Sequence, residues 1–289
     1  MNIAAALQKR LEYVVLEQLK FLKKKYKINK LCIAGGVGLN CSMNGKIVKS
    51  GLFNEVFVQP AAGDAGVAYG SCLVSTLKRK KISISKNRNF YTGFREDKKF
   101  NKIKKIIQNK LKFRNFRNKI YDETAKLLSE GKIIGWYQGP SEFGPRALGN
   151  RSILCKPFPD SMRDHINKKV KFREYFRPFA PAILAEKQKK YFDLNQKSEH
   201  MLIACSANKL AKKQIPATVH IDGTSRVQTV TKSTNHKFWK LLKSFEKKTS
   251  IPVLLNTSFN IKGEPIVNDI DDALRCFKKY NIDFLVIDE

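Results

Sequence analysis

Residues 139–152 read Gly-Pro-Ser-Glu-Phe-Gly-Pro-Arg-Ala-Leu-Gly-Asn-Arg-Ser. An apolar run at 132–137 precedes them and predicts a strand that ends where the glycines and prolines begin. Arg146 and Arg151 lie here among small and aromatic residues, where solvated surface arginines are not expected. Because the planar guanidinium group matches the oxygens of phosphate and carboxylate, the stretch predicts an anion-binding loop at the end of a strand.

Two more arginines follow in similar surroundings. Arg173 and Arg177 belong to the segment Phe-Arg-Glu-Tyr-Phe-Arg-Pro-Phe at 172–179. Several guanidinium groups that converge on one pocket would bind a small phosphorylated substrate and stabilise charge during group transfer. The alternative is a buried arginine paired with Glu142 or Glu174, a role that suits one or two of the four better than all of them.

A third polar segment follows an apolar run at 253–255, which predicts a strand. Asn256, Thr257 and Ser258 present consecutive short hydrogen-bonding side chains there. Such side chains at a strand end suit a loop that faces a ligand. An ordinary polar turn has the same spacing, so both interpretations stay open on spacing alone.

A glycine-rich turn near the N-terminus lies between a predicted strand at 31–34 and a predicted helix. Gly35, Gly36 and Asn40 belong to this turn, where backbone N–H groups at a helix start could approach a phosphate. The segment matches neither the dinucleotide-binding fingerprint nor the P-loop, and a purely structural turn is the alternative.

Asp64 is a single carboxylate in a loop of small residues at 60–66, directly after a predicted strand at 55–59. The small neighbours leave room for a ligand, so Asp64 could bind a metal ion or orient phosphates. Alternatively, it caps the helix that follows, which is the commoner role of aspartate at such a position.

The order of these elements predicts an α/β protein in two parts. An amphipathic helix at 4–27 and two strand–turn–helix segments resemble part of a larger α/β unit. A connector at 78–119 holds 17 Lys and Arg residues against two acidic ones, with a helix predicted at 98–109. A second α/β pattern begins near residue 121, and residues 219–230 predict an extended pair.

The composition of the chain bears on three classes of function, namely nucleic-acid binding, membrane spanning and metal binding. The net charge of +31 raises the possibility of nucleic-acid binding, but Lys far outnumbers Arg and no DNA- or RNA-binding motif is present, so nucleic acid is not the expected partner. No apolar run reaches the ~20 residues of a membrane helix, and no signal peptide is recognisable. Six scattered cysteines and four histidines form no metal-ligand spacing, which fits reduced thiols in the cytoplasm.

Taken together, six long segments resemble the NodU/CmcH family of O-carbamoyltransferases. They are AGGVGLNCSMNGKI (34–47), VFVQPAAGDAGVAYG (56–70), GWYQGPSEFGPRALGNRSIL (135–154), FREYFRPFAPAIL (172–184), HIDGTSRVQTV (220–230) and VLLNTSFNIKGEPIV (253–267). Several long motifs in family order are far more specific than any one of them.

The resemblance implies two modules joined by a connector. Residues 1–78 would be the closing portion of an actin-like (ASKHA) transferase domain, and residues 79–119 the basic connector. Residues 120–289 would form a YrdC-like domain with a twisted mixed sheet. The resemblance also implies that the YrdC-like domain forms carbamoyl-adenylate from carbamoyl phosphate and ATP. The actin-like domain would then pass the carbamoyl group to a hydroxyl of a small-molecule or saccharide acceptor.

The resemblance assigns roles to eleven residues. Those expected to hold the phosphates and the carbamoyl group are Arg146, Arg151, Arg173 and Arg177, with Asn256, Thr257 and Ser258 nearby. Those expected to approach nucleotide in the first module are Gly35, Gly36 and Asn40. Asp64 matches an aspartate that helps to bind a divalent metal, Mg²⁺ or iron.

One departure from the family pattern concerns the first module. The histidine metal ligands of the family and most of its first nucleotide lobe lie upstream of the residues present here. We therefore expect an incomplete transferase and metal site unless a separate polypeptide supplies the rest. The alternative hypothesis is a non-catalytic nucleotide- or RNA-binding remnant of this family.

Overall fold

The N-terminal part of the chain forms a two-stranded parallel sheet flanked by helices. The computed structural model describes residues 2–79, 90–95, 108 and 111–288. Strands β1 and β2 pair in parallel register, so that Lys30 lies opposite Glu55. The elements in chain order are α1 (Asn2–Tyr26), β1 (Lys30–Ile33), α2 (Cys41–Lys49), β2 (Glu55–Val58) and α3 (Ala65–Arg79).

The C-terminal part is built on a larger mixed sheet. Its strands are β3 (Ile134–Gln138), β4 (Arg151–Cys155), β5 (Ala180–Leu184), β6 (Phe192–Asp193), β7 (Ala204–Ala207), β8 (Thr224–Arg226), β9 (Gln228–Val230), β10 (Val253–Ser258) and β11 (Phe284–Asp288). Six of them pair in the order β11-β3-β4-β10-β5-β9, with parallel pairs at the two edges and antiparallel pairs between. The other three form the small antiparallel sheet β6-β7-β8.

Helices cover both faces of the six-stranded sheet. They are α4 (Ile120–Ser129), α5 (Ser161–Ile166), α6 (Gln188–Tyr191), α7 (Lys209–Gln214), α8 (His236–Thr249) and α9 (Ile270–Lys279). Successive strand residues point to opposite faces, so Tyr137 packs in the cluster that contains α9, whereas Trp136 packs in the cluster that contains α4 and α8. Every residue of β3, β4 and β5 is buried as a result.

The two parts of the chain pack directly against each other. Helix α2 lies on the small sheet, where the carbonyl of Ala204 leaves no room for a side chain at Gly45. The buried amide of Asn44 donates hydrogen bonds to the carbonyl oxygens of Gly38 (2.7 Å) and Leu202 (2.8 Å). These contacts fix α2 relative to the residues that lead into β7.

Several sequence predictions can be compared with this architecture. The mixed α/β sheet is confirmed, whereas the actin-like and YrdC-like assignments of residues 1–78 and 120–289 stay predictions. The helix predicted at 98–109 lies outside the described residues, apart from residue 108. The extended pair predicted at 219–230 is instead two strands of different sheets, β8 and β9, separated only by the buried Val227. No helix in the described part of the chain is long and apolar enough to cross a membrane.

The contact at Gly45 can be tested by adding one methyl group. In Gly45→Ala the new carbon would lie 2.0 Å from the Ala204 carbonyl oxygen. Because the backbone of β7 must then move, we expect the free energy of unfolding, measured by urea denaturation, to fall by about 2 kcal/mol or more.

The matched control is Gly70→Ala in α3, where an added methyl meets no atom within 4 Å. This variant should unfold at the same or a slightly higher urea concentration, because alanine favours a helix over glycine by about 1 kcal/mol. Equal midpoints for the two variants would contradict the close packing of α2 on β7.

Candidate active site

A cavity of about 290 Å³ lies where the two parts of the chain meet. The end of β10 and the loop before β4 form part of its wall, and the first turn of α2 contributes Cys41. The charged side chains that line the cavity are Arg146, Arg173, Arg177 and Arg226. The cavity therefore carries a concentration of positive charge on a partly enclosed surface.

Arg146 and Arg226 are the arginines whose burial is least compensated. Burial lowers the pKa of Arg146, and its Nε atom is buried without a hydrogen bond to any described residue. Burial and the charge of Arg146 lower the pKa of Arg226 to about 10. Both remain cations at neutral pH, so this part of the cavity holds desolvated positive charge that an anion would stabilise.

Arg173 is held in place by its neighbours. Its Nε donates to Oδ1 of Asn167 (2.7 Å), one Nη donates to the carbonyl of Pro178 (3.3 Å), and the guanidinium group lies 4.5 Å from the ring centre of Phe179. Burial and the charge of Arg177 lower the pKa of Arg173 to about 10. Arg173 thus reaches the cavity in a fixed orientation.

Arg177 lies at a more exposed position of the cavity wall. Its side chain is 55% exposed and forms an ion pair of 3.7 Å with Glu174. An exposed ion pair of this kind stabilises the fold by no more than about 1 kcal/mol, so Arg177 can exchange partners at little cost. The pairing with Glu174 that the sequence offered as an alternative is present here, although not as a buried pair.

Arg151 is the one of the four predicted arginines that does not line the cavity. The sequence assigned Arg151 to the phosphates, but the residue is fully buried and does not line the cavity. Its Nη1 donates to the carbonyls of Gln138 (2.8 Å) and Gly139 (3.0 Å), and its Nε donates to the carbonyl of Asn268 (3.2 Å). The guanidinium group also lies 3.8 Å from the ring centre of Tyr137. Because these donors bind backbone carbonyls, we interpret Arg151 as a structural residue, and its assignment to the phosphates stays a prediction.

The three polar residues at the end of β10 do reach the cavity together. The side-chain Nδ2 of Asn256 donates to Oε1 of Gln228 (2.9 Å) and to the carbonyl of Ala147 (3.2 Å). Its Oδ1 is buried and has no hydrogen-bond partner in the described residues. Thr257 and Ser258 continue the wall beside it.

Lys171 is a buried cation that the sequence did not single out. Its Nζ donates to the carbonyl and the hydroxyl of Ser258 and to Oδ1 of Asn260 (2.9 Å). Burial and the charge of Arg173 lower the pKa of Lys171 to about 7. In the sequence, Lys171 ends the segment Lys-Lys-Val-Lys at 168–171, in which it resembles the other lysines of a solvated helix surface. Arg226 was also missed, because a single arginine in a polar strand carries no distinctive signal.

The predicted residues of the first module lie apart from the cavity lining. Gly35 adopts a φ of +99° and precedes a short 3₁₀ turn, Gly36–Leu39. The side chain of Asn40 caps α2 by accepting a hydrogen bond from the backbone N–H of Met43 (3.0 Å). Because Asn40 directly precedes Cys41, this turn approaches the cavity from the side of the first module.

Asp64 does not form a metal site with the residues around it. It is exposed directly before α3. Across residues 2–79, 90–95, 108 and 111–288, no three His, Cys, Asp or Glu side chains come together in a group that could hold a metal ion. The described residues therefore do not fit the divalent metal that the resemblance implies.

Comparison with known proteins gives a consistent set of matches. A family model described as "Carbamoyltransferase C-terminus" matches residues 125–289, and one described as "Carbamoyltransferase N-terminus" matches residues 1–73. An uncharacterized protein of Synechocystis is 37% identical over all of this chain, which covers 51% of that protein. The nodulation protein NolO of Bradyrhizobium diazoefficiens is 40% identical over 99% of this chain, which covers 53% of NolO. The chain thus spans about half the length of these relatives.

Similarity to a solved structure is weaker. Full-length HypF, in a crystal structure of its phosphate- and nucleotide-bound form, matches with a TM-score of 0.39 and 20% identity. The match covers 58% of this chain and 20% of HypF. Similarity at this level supports no conclusion about fold or function.

The different roles of Arg146 and Arg151 predict opposite effects on stability. Arg151→Ala leaves buried carbonyls unpaired, so the free energy of unfolding should fall by about 3 kcal/mol. Arg146→Ala removes a poorly compensated charge, so its free energy of unfolding should stay within about 0.5 kcal/mol of the unmodified protein or rise above it. Urea denaturation in phosphate-free buffer measures both. A loss of stability in Arg146→Ala as large as that in Arg151→Ala would contradict the assignment.

The lowered pKa of Lys171 predicts a pH-dependent stability. Between about pH 7 and its usual pKa of 10.5, Lys171 binds fewer protons in the folded than in the unfolded chain. Its contribution to the free energy of unfolding therefore increases as the pH rises through this window. In Lys171→Met that increase should be missing, which urea denaturation at about pH 7 and about pH 9.5 detects. The same pH dependence in both proteins would contradict a lowered pKa.

Proposed function

The chain belongs to the carbamoyltransferase family, and on that premise we propose that it takes part in the ATP-dependent transfer of a carbamoyl group to a hydroxyl. In this proposal residues 120–289 form carbamoyl-adenylate from carbamoyl phosphate and ATP. The observation that carries it is the cluster of Arg146, Arg173 and Arg226 in one cavity beside Asn256. Such a cluster suits a small, highly charged phosphate ester better than a neutral ligand.

The proposed reaction has two steps, and in each of them one bond forms as another breaks. Water first releases inorganic phosphate from carbamoyl phosphate and leaves carbamate. A carbamate oxygen then attacks the α-phosphorus of ATP, the bond between that phosphorus and the oxygen that bridges to the β-phosphate breaks, and pyrophosphate leaves. The carbamoyl group ends on a good leaving group, AMP, which makes the later attack by a hydroxyl easier.

The arginines would act by holding negative charge where it develops. The Nε atom of Arg146 has no hydrogen-bond partner in the described residues, and the burial of Arg146 and Arg226 strengthens their attraction for an anion relative to bulk water. Arg173 is fixed in advance by Asn167, so little side-chain entropy is lost when it binds an oxygen. Arg177 can leave Glu174 for a phosphate because its ion pair is exposed.

Lys171 would act on the same site through Ser258. The Lys171 ammonium group holds the carbonyl and hydroxyl of Ser258, so it positions the end of β10 at the cavity wall. An anion in the cavity would favour the charged form of Lys171 and raise its pKa from about 7. Substrate binding and the ordering of this loop would therefore reinforce each other.

We assign the second half of the proposed reaction, transfer to the acceptor, to the first module. In this proposal Gly35, Gly36 and Asn40 approach the nucleotide part of the adenylate. Support comes from Cys41, which follows Asn40 and lines the cavity. The remaining half of the relatives' length, in a separate polypeptide or the same one, would supply the other transferase contacts and bind the acceptor.

Nucleic-acid binding is the weaker candidate. It rests on the basic connector at 79–119, most of which lies outside the described residues. The arginines described above are instead gathered in a cavity of about 290 Å³, a size suited to a small ligand rather than to an extended phosphate backbone.

The proposal predicts an exchange of label between pyrophosphate and ATP that requires carbamoyl phosphate. With the full chain, Arg146→Ala and Arg226→Ala should each lower the exchange rate by about a hundredfold, because each removes a donor to developing negative charge. Arg163→Ala is the matched control, since Arg163 on α5 pairs with the nearby Asp160 and Asp164 and does not line the cavity. Its exchange rate should match that of the unmodified protein.

Two results would contradict the proposed function. One is exchange that proceeds equally well without carbamoyl phosphate. The other is an exchange rate that is unchanged in both cavity variants. If the full chain shows no exchange but binds RNA with an affinity that falls steeply with salt, the nucleic-acid alternative replaces the enzyme.

A further inference from the structure

Some of the side chains that line the cavity carry a hydrogen-bond acceptor beside the arginine donors. Arginine side chains only donate, and a phosphate group only accepts from them. His220 and Asn256 also line the cavity, and each offers an acceptor that a phosphate cannot use. These two side chains therefore point to a ligand group that carries N–H or O–H donors.

A chain of hydrogen bonds fixes which nitrogen of His220 is the acceptor. The Thr224 hydroxyl donates to Oδ1 of Asp222 (2.7 Å), because an ionised carboxylate can only accept. The proton of that hydroxyl is therefore committed, and Oγ1 of Thr224 must accept from Nδ1 of His220 (3.1 Å). His220 then carries its proton on Nδ1, which leaves Nε2 with a free lone pair.

His220 stays neutral in this environment. Burial and the charge of Arg226 lower its pKa to about 4, and this outweighs the opposing effect of Asp222. A neutral imidazole whose Nε2 is an acceptor repels phosphate oxygens rather than binding them. His220 therefore cannot serve as another phosphate-binding cation at neutral pH.

Asn256 presents its acceptor in a comparable way. Its Nδ2 is held by Oε1 of Gln228 and the carbonyl of Ala147, which fixes the orientation of the amide. Its Oδ1 is consequently left buried and without a partner in the described residues. A buried acceptor without a donor costs about 1–3 kcal/mol, a cost that a ligand N–H would remove.

We propose that Nε2 of His220 and Oδ1 of Asn256 accept the two N–H bonds of the substrate's carbamoyl amino group, and that this pair selects carbamoyl phosphate over other acyl phosphates. The inference rests on the proposed function, since it assumes that the arginines hold the phosphate of the same molecule. An amide nitrogen has two N–H donors and no basic lone pair, so it matches two acceptors. An acetyl group places a methyl there and leaves both acceptors unpaired.

Two stable phosphonates test the selection directly. Phosphonoacetamide has a CH₂ group in place of the bridging oxygen of carbamoyl phosphate and keeps the amino group. 2-Oxopropylphosphonate has the same shape with a methyl in place of the amino group. Titration calorimetry of the full chain at about pH 7.5 gives the ratio of the two dissociation constants. We expect the unmodified protein to bind phosphonoacetamide more tightly by at least about tenfold.

The variant His220→Phe keeps a ring of similar size and removes the acceptor. It should weaken phosphonoacetamide binding by roughly tenfold, which is one hydrogen bond lost, and leave 2-oxopropylphosphonate binding unchanged. His220→Gln restores an acceptor oxygen and should recover part of the preference. His236→Phe is the matched control, because His236 is exposed beside Trp239 on α8 and does not line the cavity.

The outcomes separate this inference from the proposed function. If the unmodified protein binds the two phosphonates with equal affinity, the two acceptors do not select the amino group. That result would overturn the inference but leave the proposed phosphate site intact. A preference that persists in His220→Phe, or a variant that loses both ligands equally, would overturn the role of His220. Failure of the unmodified protein to bind either phosphonate would overturn the inference together with the proposed carbamoyl phosphate site.

Discussion

The buried guanidinium group of Arg151 is the interaction on which the candidate site depends. It joins the end of β3, the loop that follows, and the residues before α9 through carbonyl oxygens that would otherwise be unpaired. Within the same loop, Oε1 of Glu142 accepts the backbone N–H groups of Leu148 (2.6 Å) and Asn150 (2.8 Å). With its backbone satisfied by its own charged side chains, the loop can hold Arg146 at the cavity without support from a ligand.

The hydrogen-bonded loop at 139–151 holds the cavity wall in place although the charges in the cavity repel one another. Arg146, Arg173 and Arg226 are partly desolvated cations whose charges act on one another, and Asn256 leaves an acceptor unpaired. Each of these features lowers the stability of the folded protein. Such costs persist at functional sites because the surrounding fold fixes the arrangement and a bound ligand relieves it.

The sequence indicated which residue types line the cavity, but it did not indicate how their side chains contact the rest of the fold. The apolar run at 253–255 located the strand β10, and both Asn256 at its end and Arg146, which was chosen for its guanidinium group, line the cavity. The sequence could not distinguish the role of Arg146 from that of Arg151. Only tertiary packing decides which of the two guanidinium groups is surrounded by backbone carbonyls. Lys171 could not be told from its neighbours Lys168 and Lys169, because its burial depends on a contact with Ser258, which is distant in the chain. The sequence likewise could not show that the chain changes sheets at Val227, because the sheet that β8 or β9 joins is decided by distant pairing partners.

The packing of Gly45 on β7 also limits how the two parts of the chain can move relative to each other. Because the contact is made by the backbone of Ala204, a change of side-chain rotamer cannot adjust it. Helix α2 also carries Cys41 at the cavity wall, so the main-chain packing that holds α2 against the small sheet also sets this side of the cavity.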